Sequence, residues 1–129
     1  LEANPAYTAP VDLGFGEALR RVPKTLHLSQ YENETAPACR FLLPAAHYLD
    51  SWGDGRAYDG TVSLVQPLIA PMFGGVMAIE LLSQLVDERP QSGHELVRAQ
   101  VRQQVGVAAF EPRWEELLQR GFIAGRLWE

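Results

Sequence analysis

Early in the chain the spacing of apolar residues changes period across a single proline, and this switch constrains the fold more than any other feature. From residue 12 to residue 22, Phe15, Ala18, Leu19 and Val22 recur at helical spacing, with Asp12 as the expected N-cap and Pro23 as the stop. Thr25-Leu26-His27-Leu28 then alternates with period two, as a half-buried strand does. A helix delivered directly into a strand predicts an α/β layered fold. Gly14 and Gly16 weaken this helix in isolation, so packing has to hold it.

The same punctuation continues. Asn33-Glu34-Thr35-Ala36 reads as a short helical turn, and Arg40-Phe41-Leu42-Leu43 as a second strand ended by Pro44. Thr61-Val62-Ser63-Leu64-Val65 is a third strand, after which Pro67 and Pro71 bracket an extended Leu68-Ile69-Ala70. The stretch between Ala45 and Gly60 is predicted to be an ordered loop, because His47, Tyr48, Leu49, Trp52 and Tyr58 are costly to leave in water. Part of it folds back on the domain and part presents an aromatic patch. Trp52 is the expected exposed member, since Gly53 and Asp54 favour a turn there.

The C-terminal half is predicted to be helical. Gly74-Gly75 precedes a helix with Ala78, Leu81, Leu82 and Leu85 on one face, ending before Pro90. Ser92-Gly93-His94-Glu95 matches a capping box, with Val97, Val101 and Val105 following at four-residue intervals. A last helix has Pro112 in its first turn, Trp114, Leu117 and Leu118 as its apolar stripe, and Gly121 as its stop.

At 129 residues the chain forms a single domain, and its opening on Leu1 rather than Met leads us to expect a segment of a longer polypeptide. A net charge of -5 excludes a phosphate-tracking nucleic-acid surface. Arg20, Arg21 and Lys24 form the only basic cluster, at a helix end where cations complement the dipole. No apolar run is long enough to span a bilayer, and no signal-peptide pattern opens the chain. Cys39 is the only cysteine, which rules out an internal disulfide and a multi-cysteine metal or iron–sulfur site.

No catalytic constellation stands out. His27 falls on a strand, His47 in the aromatic loop and His94 inside the capping box. None has a partner at metal-ligand spacing, His47 with Asp50 being the nearest pair. Cys39 is read as a buried, inert thiol. Asp50, Asp54 and Asp59 could pair as acid and base, but loop aspartates beside glycines more often cap turns. Trp52-Gly53-Asp54-Gly55 lacks the strand and helix of a phosphate cradle. Ser29, Ser51, Ser63, Ser83 and Ser92 lack the setting of a nucleophile elbow.

Two motifs are more specific. Asn33-Glu34-Thr35-Ala36, followed by Leu43-Pro44-Ala45-Ala46-His47-Tyr48-Leu49-Asp50-Ser51-Trp52-Gly53-Asp54, resembles the Thr-Glu-Thr-Ala … Leu-Pro … Glu-x-x-Gly region of molybdopterin oxidoreductases. It is more closely similar to the large periplasmic iron–sulfur subunit of alternative complex III and its relatives. The run from Asp59 through Gly60, Thr61, Val62, Ser63, Leu64, Val65, Gln66, Pro67, Leu68, Ile69 and Ala70 to Pro71 matches that group in full. Asn4-Pro5-Ala6-Tyr7-Thr8-Ala9-Pro10 resembles the Asn-Pro turn that follows a strand in the same domain, and residues 114–121 resemble its closing helix. The family has Glu where Asp50 stands, and its Cys-x-x-Cys runs are absent from this sequence.

The resemblance implies a Rossmann-like partial domain with a small, mostly parallel sheet and a helical C-terminal part, cut from a larger oxidoreductase subunit. It implies no catalytic residue, metal or cofactor in this segment, with iron–sulfur clusters and, in active molybdenum enzymes, molybdopterin guanine dinucleotide in the parent. Asn4 is the one residue it nominates on the pterin side, at a strand's carboxyl end. The implied partners are the rest of the parent subunit and other electron-transfer subunits, on the periplasmic side of the bacterial inner membrane. The separated segment is expected to self-associate through its aromatic patch, and no nucleic acid or direct membrane insertion is expected. The alternatives are a free-standing small-molecule-binding α/β module and a domain that grips a pterin dinucleotide in an active enzyme.

Overall fold

The computed structural model describes residues 2–87, 89–106, 108 and 110–124, and in it two short sheets share the chain with five helices. The N-terminal sheet pairs β1 (Leu26–Ser29) with β2 (Phe41–Pro44) in parallel, Leu26 opposite Phe41 and Ser29 opposite Pro44. Its edges are extended by a hydrogen bond from Glu2 N to Leu28 O of 2.7 Å and by a parallel bridge between Ala45 and Val76. The second sheet is antiparallel. In it β3 (Gly53–Arg56) pairs with β4 (Val62–Val65), and β4 pairs in turn with β5 (Phe122–Ile123). The fold is thus mixed α/β, as expected, with parallel pairing in the first sheet only.

Helix α1 (Pro5–Thr8) is a single turn, and α2 (Phe15–Arg20) starts later and ends earlier than the apolar spacing implies. Gly14, at φ 54°, occupies the N-cap in place of Asp12, which lies within a separate 3-10 turn, Val11–Leu13. The left-handed backbone at Gly14 redirects the chain between the two pieces, a conformation glycine adopts without a Cβ penalty. The turn expected at residues 33–36 begins one step later and tightens into a 3-10 helix over Ala36–Ala38.

The core lies in the C-terminal half. α4 (Gly93–Val105) and α5 (Phe110–Arg120) bury Val97, Val101, Phe110, Trp114 and Leu117 together, and Trp52, Leu64, Ile79, Leu118 and Ile123 pack around them. The capping box forms as predicted: Ser92 accepts from Glu95 N, while the Glu95 carboxylate accepts from Ser92 N at 2.9 Å. Gly121, at φ 78°, ends α5 with its N–H on Leu117 O at 2.8 Å. The Arg98 and Arg102 guanidinium carbons sit 5.1 and 4.5 Å from the Phe110 ring centre and roof this core. The side chain of Val105, expected to continue the α4 stripe, lies outside the described residues.

Two expectations about apolar faces are corrected. Trp52 is half-buried, its ring 6.3 Å from that of Trp114 and 4.8 Å from that of His94, so it belongs to the core rim and is not the exposed aromatic. Tyr58, 95% exposed, takes that place beside the β3–β4 turn. Helix α3 (Ala78–Asp87) turns Ile79 towards the core, but Leu82, Leu85 and Val86 face outward, with Leu85 70% exposed. Their helical spacing is real, and no described part of the chain covers them. Among the described residues, no helix is long and apolar enough to cross a membrane.

Candidate functional site

Parallel strands aim their carboxyl ends in one direction, and the crevice beyond those ends is where open α/β sheets take ligands. Here β1 and β2 end together, and beyond them lies a half-open cavity of about 220 Å³. His27 and residues 29–32 form one side, and Leu42, Leu43 and Pro44 the other. The lining is chiefly apolar. Among the described residues, Glu32 is its only charged lining member, and no Lys or Arg lines it. His27 is buried, and its Nε2 has no hydrogen-bond partner among the described residues. An orphaned ring nitrogen in an apolar wall is the one polar irregularity of this cavity, since buried polar groups are nearly always paired.

Asn4 lies near this region without lining it. Its Oδ1 accepts from Thr35 Oγ1 at 2.8 Å, and its Nδ2 donates to Glu34 Oε2 at 2.6 Å. Thr35, itself buried, also accepts from Ala6 N at 3.0 Å, and its own N–H donates to Asn33 Oδ1. The carboxamide therefore ties the start of α1 to the turn that precedes β2. The amide of Asn4, followed by Glu34's own backbone N–H, holds the Glu34 carboxyl below the ordinary glutamate value.

The other candidates are dispersed among structural tasks. His47 Nδ1 accepts from Leu49 N at 3.2 Å and caps the 3-10 turn Tyr48–Asp50, with its ring 4.3 Å from that of Tyr48. Asp50 does not pair with it. That carboxylate is buried, 5% exposed, and its Oδ2 accepts from Met72 N at 3.3 Å while Oδ1 has no partner among the described residues. Asp54 is exposed on β3. Asp59 accepts from Thr61 N at 2.9 Å, and the Thr61 backbone and hydroxyl hold it below the ordinary aspartate value. His94 is wedged edge-on between Trp52 and Trp114, at 4.8 and 5.7 Å. Cys39 is half-buried rather than buried.

Of the serines, Ser51 donates to His47 O at 2.8 Å and Ser92 serves the capping box, while the buried Ser83 hydroxyl has no partner among the described residues. Among the described residues, no group of three His, Cys, Asp or Glu could hold a metal ion.

Comparison with known proteins adds one relationship. The chain is distantly similar to a subunit of a menaquinone reductase. The molybdopterin-binding-like subunit of that enzyme from Nitratidesulfovibrio vulgaris is 32% identical over 76 residues, which cover 56% of this chain and 11% of that protein. The chain thus spans about a tenth of its relative's length. No family model matches the sequence. The similarity supports a distant molybdopterin-oxidoreductase-like relationship for this chain.

Sequence reasoning missed the cavity. His27 was visible as a strand histidine, but which residues face it across the strand ends depends on the parallel register, which residue spacing does not encode. It also missed the role of Asp50 as a buried acceptor for Met72, a contact across 22 residues. The signal available for that was weak: a carboxylate set between Leu49 and Trp52 in an apolar stretch.

Proposed function

We propose that this chain is a non-catalytic α/β domain of a molybdopterin-oxidoreductase-like subunit, acting as scaffold in a membrane-associated electron-transfer complex. The similarity to the menaquinone reductase subunit carries the reading. Two features of the structure support it. The chemically capable side chains Asn4, His47, Asp59, His94 and Ser92 each have a local structural task. The surface also shows large apolar side chains well spread over it, Val11, Tyr58, Leu85 and Val86 among them, as suits a piece that packs against more protein. In this reading the partners are the remainder of the subunit and its neighbouring electron-transfer subunits, on the periplasmic side of the inner membrane. The iron–sulfur clusters belong to other parts of the parent.

A pterin dinucleotide does not fit the cavity beyond β1 and β2. Its phosphates call for cations or clustered backbone N–H groups, whereas the cavity beyond β1 and β2 is apolar and offers Glu32. Asn4 has both ends of its amide engaged with Glu34 and Thr35. The cavity does favour a second reading, a module for a small, mostly apolar molecule.

Purification of the natural gene product from its source tests both. The scaffold reading expects a polypeptide several times larger than 14.3 kDa, carrying iron and co-purifying with quinone-linked reductase activity. It also expects that activity to survive Asn4→Ala. A product of 14.3 kDa that retains a small molecule under native mass spectrometry would establish the second reading instead.

A further inference from the structure

The most strained backbone in the second half of the chain sits at its most exposed phenylalanine. Phe73 has φ 56° and Gly74 φ 68°, and Gly75 N donates to Met72 O at 3.0 Å across them. Two positive φ values inside an i to i+3 bond are the signature of a type I′ turn, whose first central position belongs to Asn, Asp or Gly. A bulky residue there is an outlier. Phe73 is nevertheless held there with its side chain 91% exposed, so nothing within the described domain rewards the strain.

The surroundings hold the turn firmly. Asp50 accepts from Met72 N at 3.3 Å, and Leu68 N donates to Leu49 O at 2.8 Å. On the far side Val76 N donates to Pro44 O and Ala46 N to Val76 O, locking the exit of the loop onto the end of β2. A Cβ on Gly75 would lie 2.8 Å from Ala46 Cα, so even the backbone approach is close. The result is a rigid projection that shows Leu68, Ile69, Met72 and Phe73 outward, each at least half exposed. Strain kept at an exposed aromatic on a fixed loop fits a pre-organised anchor, because such a side chain loses little freedom on docking.

We infer that the Met72–Gly75 turn inserts Phe73 into an apolar pocket on the remainder of the same, longer polypeptide. The inference rests on the scaffold reading above. In the menaquinone reductase subunit the matched stretch is 11% of the chain, so about nine-tenths of that protein is available to surround it. The chemistry of the loop selects protein over membrane: no charged residue of either sign lies between Gly60 and Ile79. A lipid-surface loop would carry Lys or Arg for the headgroups.

The test places p-benzoyl-phenylalanine at position 73 in the natural-length gene product, irradiates it and maps the crosslink. The expected partner is a segment of the same polypeptide outside residues 1–129. Crosslinks to a second copy of residues 1–129, to another polypeptide or to lipid, or no crosslink at all, would overturn the inference and leave the scaffold reading standing. A natural product of only 14.3 kDa would remove both.

Phe73→Asn provides an independent readout, because Asn-Gly is the favoured pair for this turn. In the isolated 129-residue chain the variant should melt about 2–4 °C higher. In the natural-length protein it should melt lower and be cut faster by protease around the loop. A lower melting temperature in the isolated chain would show that Phe73 supports the domain itself, and would equally overturn the inference.

Discussion

Trp114 is where the C-terminal half has most to lose. It is 5% exposed, with its ring 6.0 Å from Phe110, 6.3 Å from Trp52 and 5.7 Å from His94. A buried tryptophan removes on the order of 150–250 Å² from water, which at about 25 cal/mol per Å² is roughly 4–6 kcal/mol. Measured truncations of buried Phe and Trp to Ala cluster at about 3–5 kcal/mol, in agreement. Domains of this size have about 5–15 kcal/mol in all, so Trp114→Ala should forfeit roughly a fifth or more of it. For a chain of this length each kcal/mol moves the midpoint by roughly 3–6 °C, giving an expected fall of about 9–30 °C or the loss of a cooperative transition.

Calorimetry with near-ultraviolet circular dichroism reads both outcomes. Trp114→Phe, which keeps the stack on Phe110, should recover most of the loss. A Trp114→Ala chain melting within about 2 °C of the parent would refute the placement of the core between α4 and α5.

Trp52→Ser should cost about 2–3 kcal/mol, half the value for a fully buried indole plus the loss of its ring contacts. Thermal melting checks it, and an unchanged midpoint would return Trp52 to the surface. Gly75→Ala should cost about 1–3 kcal/mol, because the new methyl meets Ala46 backbone at 2.8 Å. A neutral result by urea titration would mean that the Ala45–Val76 bridge gives way at no cost. Glu34, Glu95 and Glu116 are all held below the ordinary value of 4.5, by hydrogen bonds from Asn4, from Ser92, and from Arg120 and Arg113 respectively. A carboxylate whose folded value is depressed stabilises the fold above its unfolded value, and that contribution is lost as pH falls through the folded value. The melting temperature should therefore be flat above pH 4.5 as far as these groups go and decline on further acidification, less steeply in Glu95→Gln. A decline that begins well above that value would implicate other groups.

Local chemistry was legible where a residue acts within one turn of itself. Ser92 and Glu95 announced their capping box, Gly121 announced the end of α5, and the strands around His27, Leu42 and Leu64 fell within a residue of their true bounds. Strand β3 was not legible, because Gly53-Asp54-Gly55-Arg56 has no apolar alternation and is extended only through its pairing with Val62–Val65. Trp52 was misplaced for the same reason. A turn-favouring neighbour says nothing about Trp114 and His94, which lie far along the chain. Leu82 and Leu85 show the converse error: correct helical spacing, but a face left uncovered by the described residues. Asn4 was picked out by the resemblance of Asn4-Pro5 to a family turn that follows a strand, yet its partners Glu34 and Thr35 could be known only from the folded chain.

The antiparallel sheet has an asymmetry that bears on how the chain folds. β3 and β4 are joined by a short turn and can pair on the microsecond timescale of a hairpin. β5 comes from beyond α5, so Val62 and Ser63 wait for Ile123 and Phe122 from the far side of three helices. Closing that long span costs chain entropy before any pairing rewards it. On a ribosome the outer edge of β4 would stay bare through the synthesis of α3, α4 and α5, a template for any passing strand. Gly60-Thr61-Val62-Ser63-Leu64-Val65, β-branched and uncharged, is the segment for which a chaperone would compete during that interval.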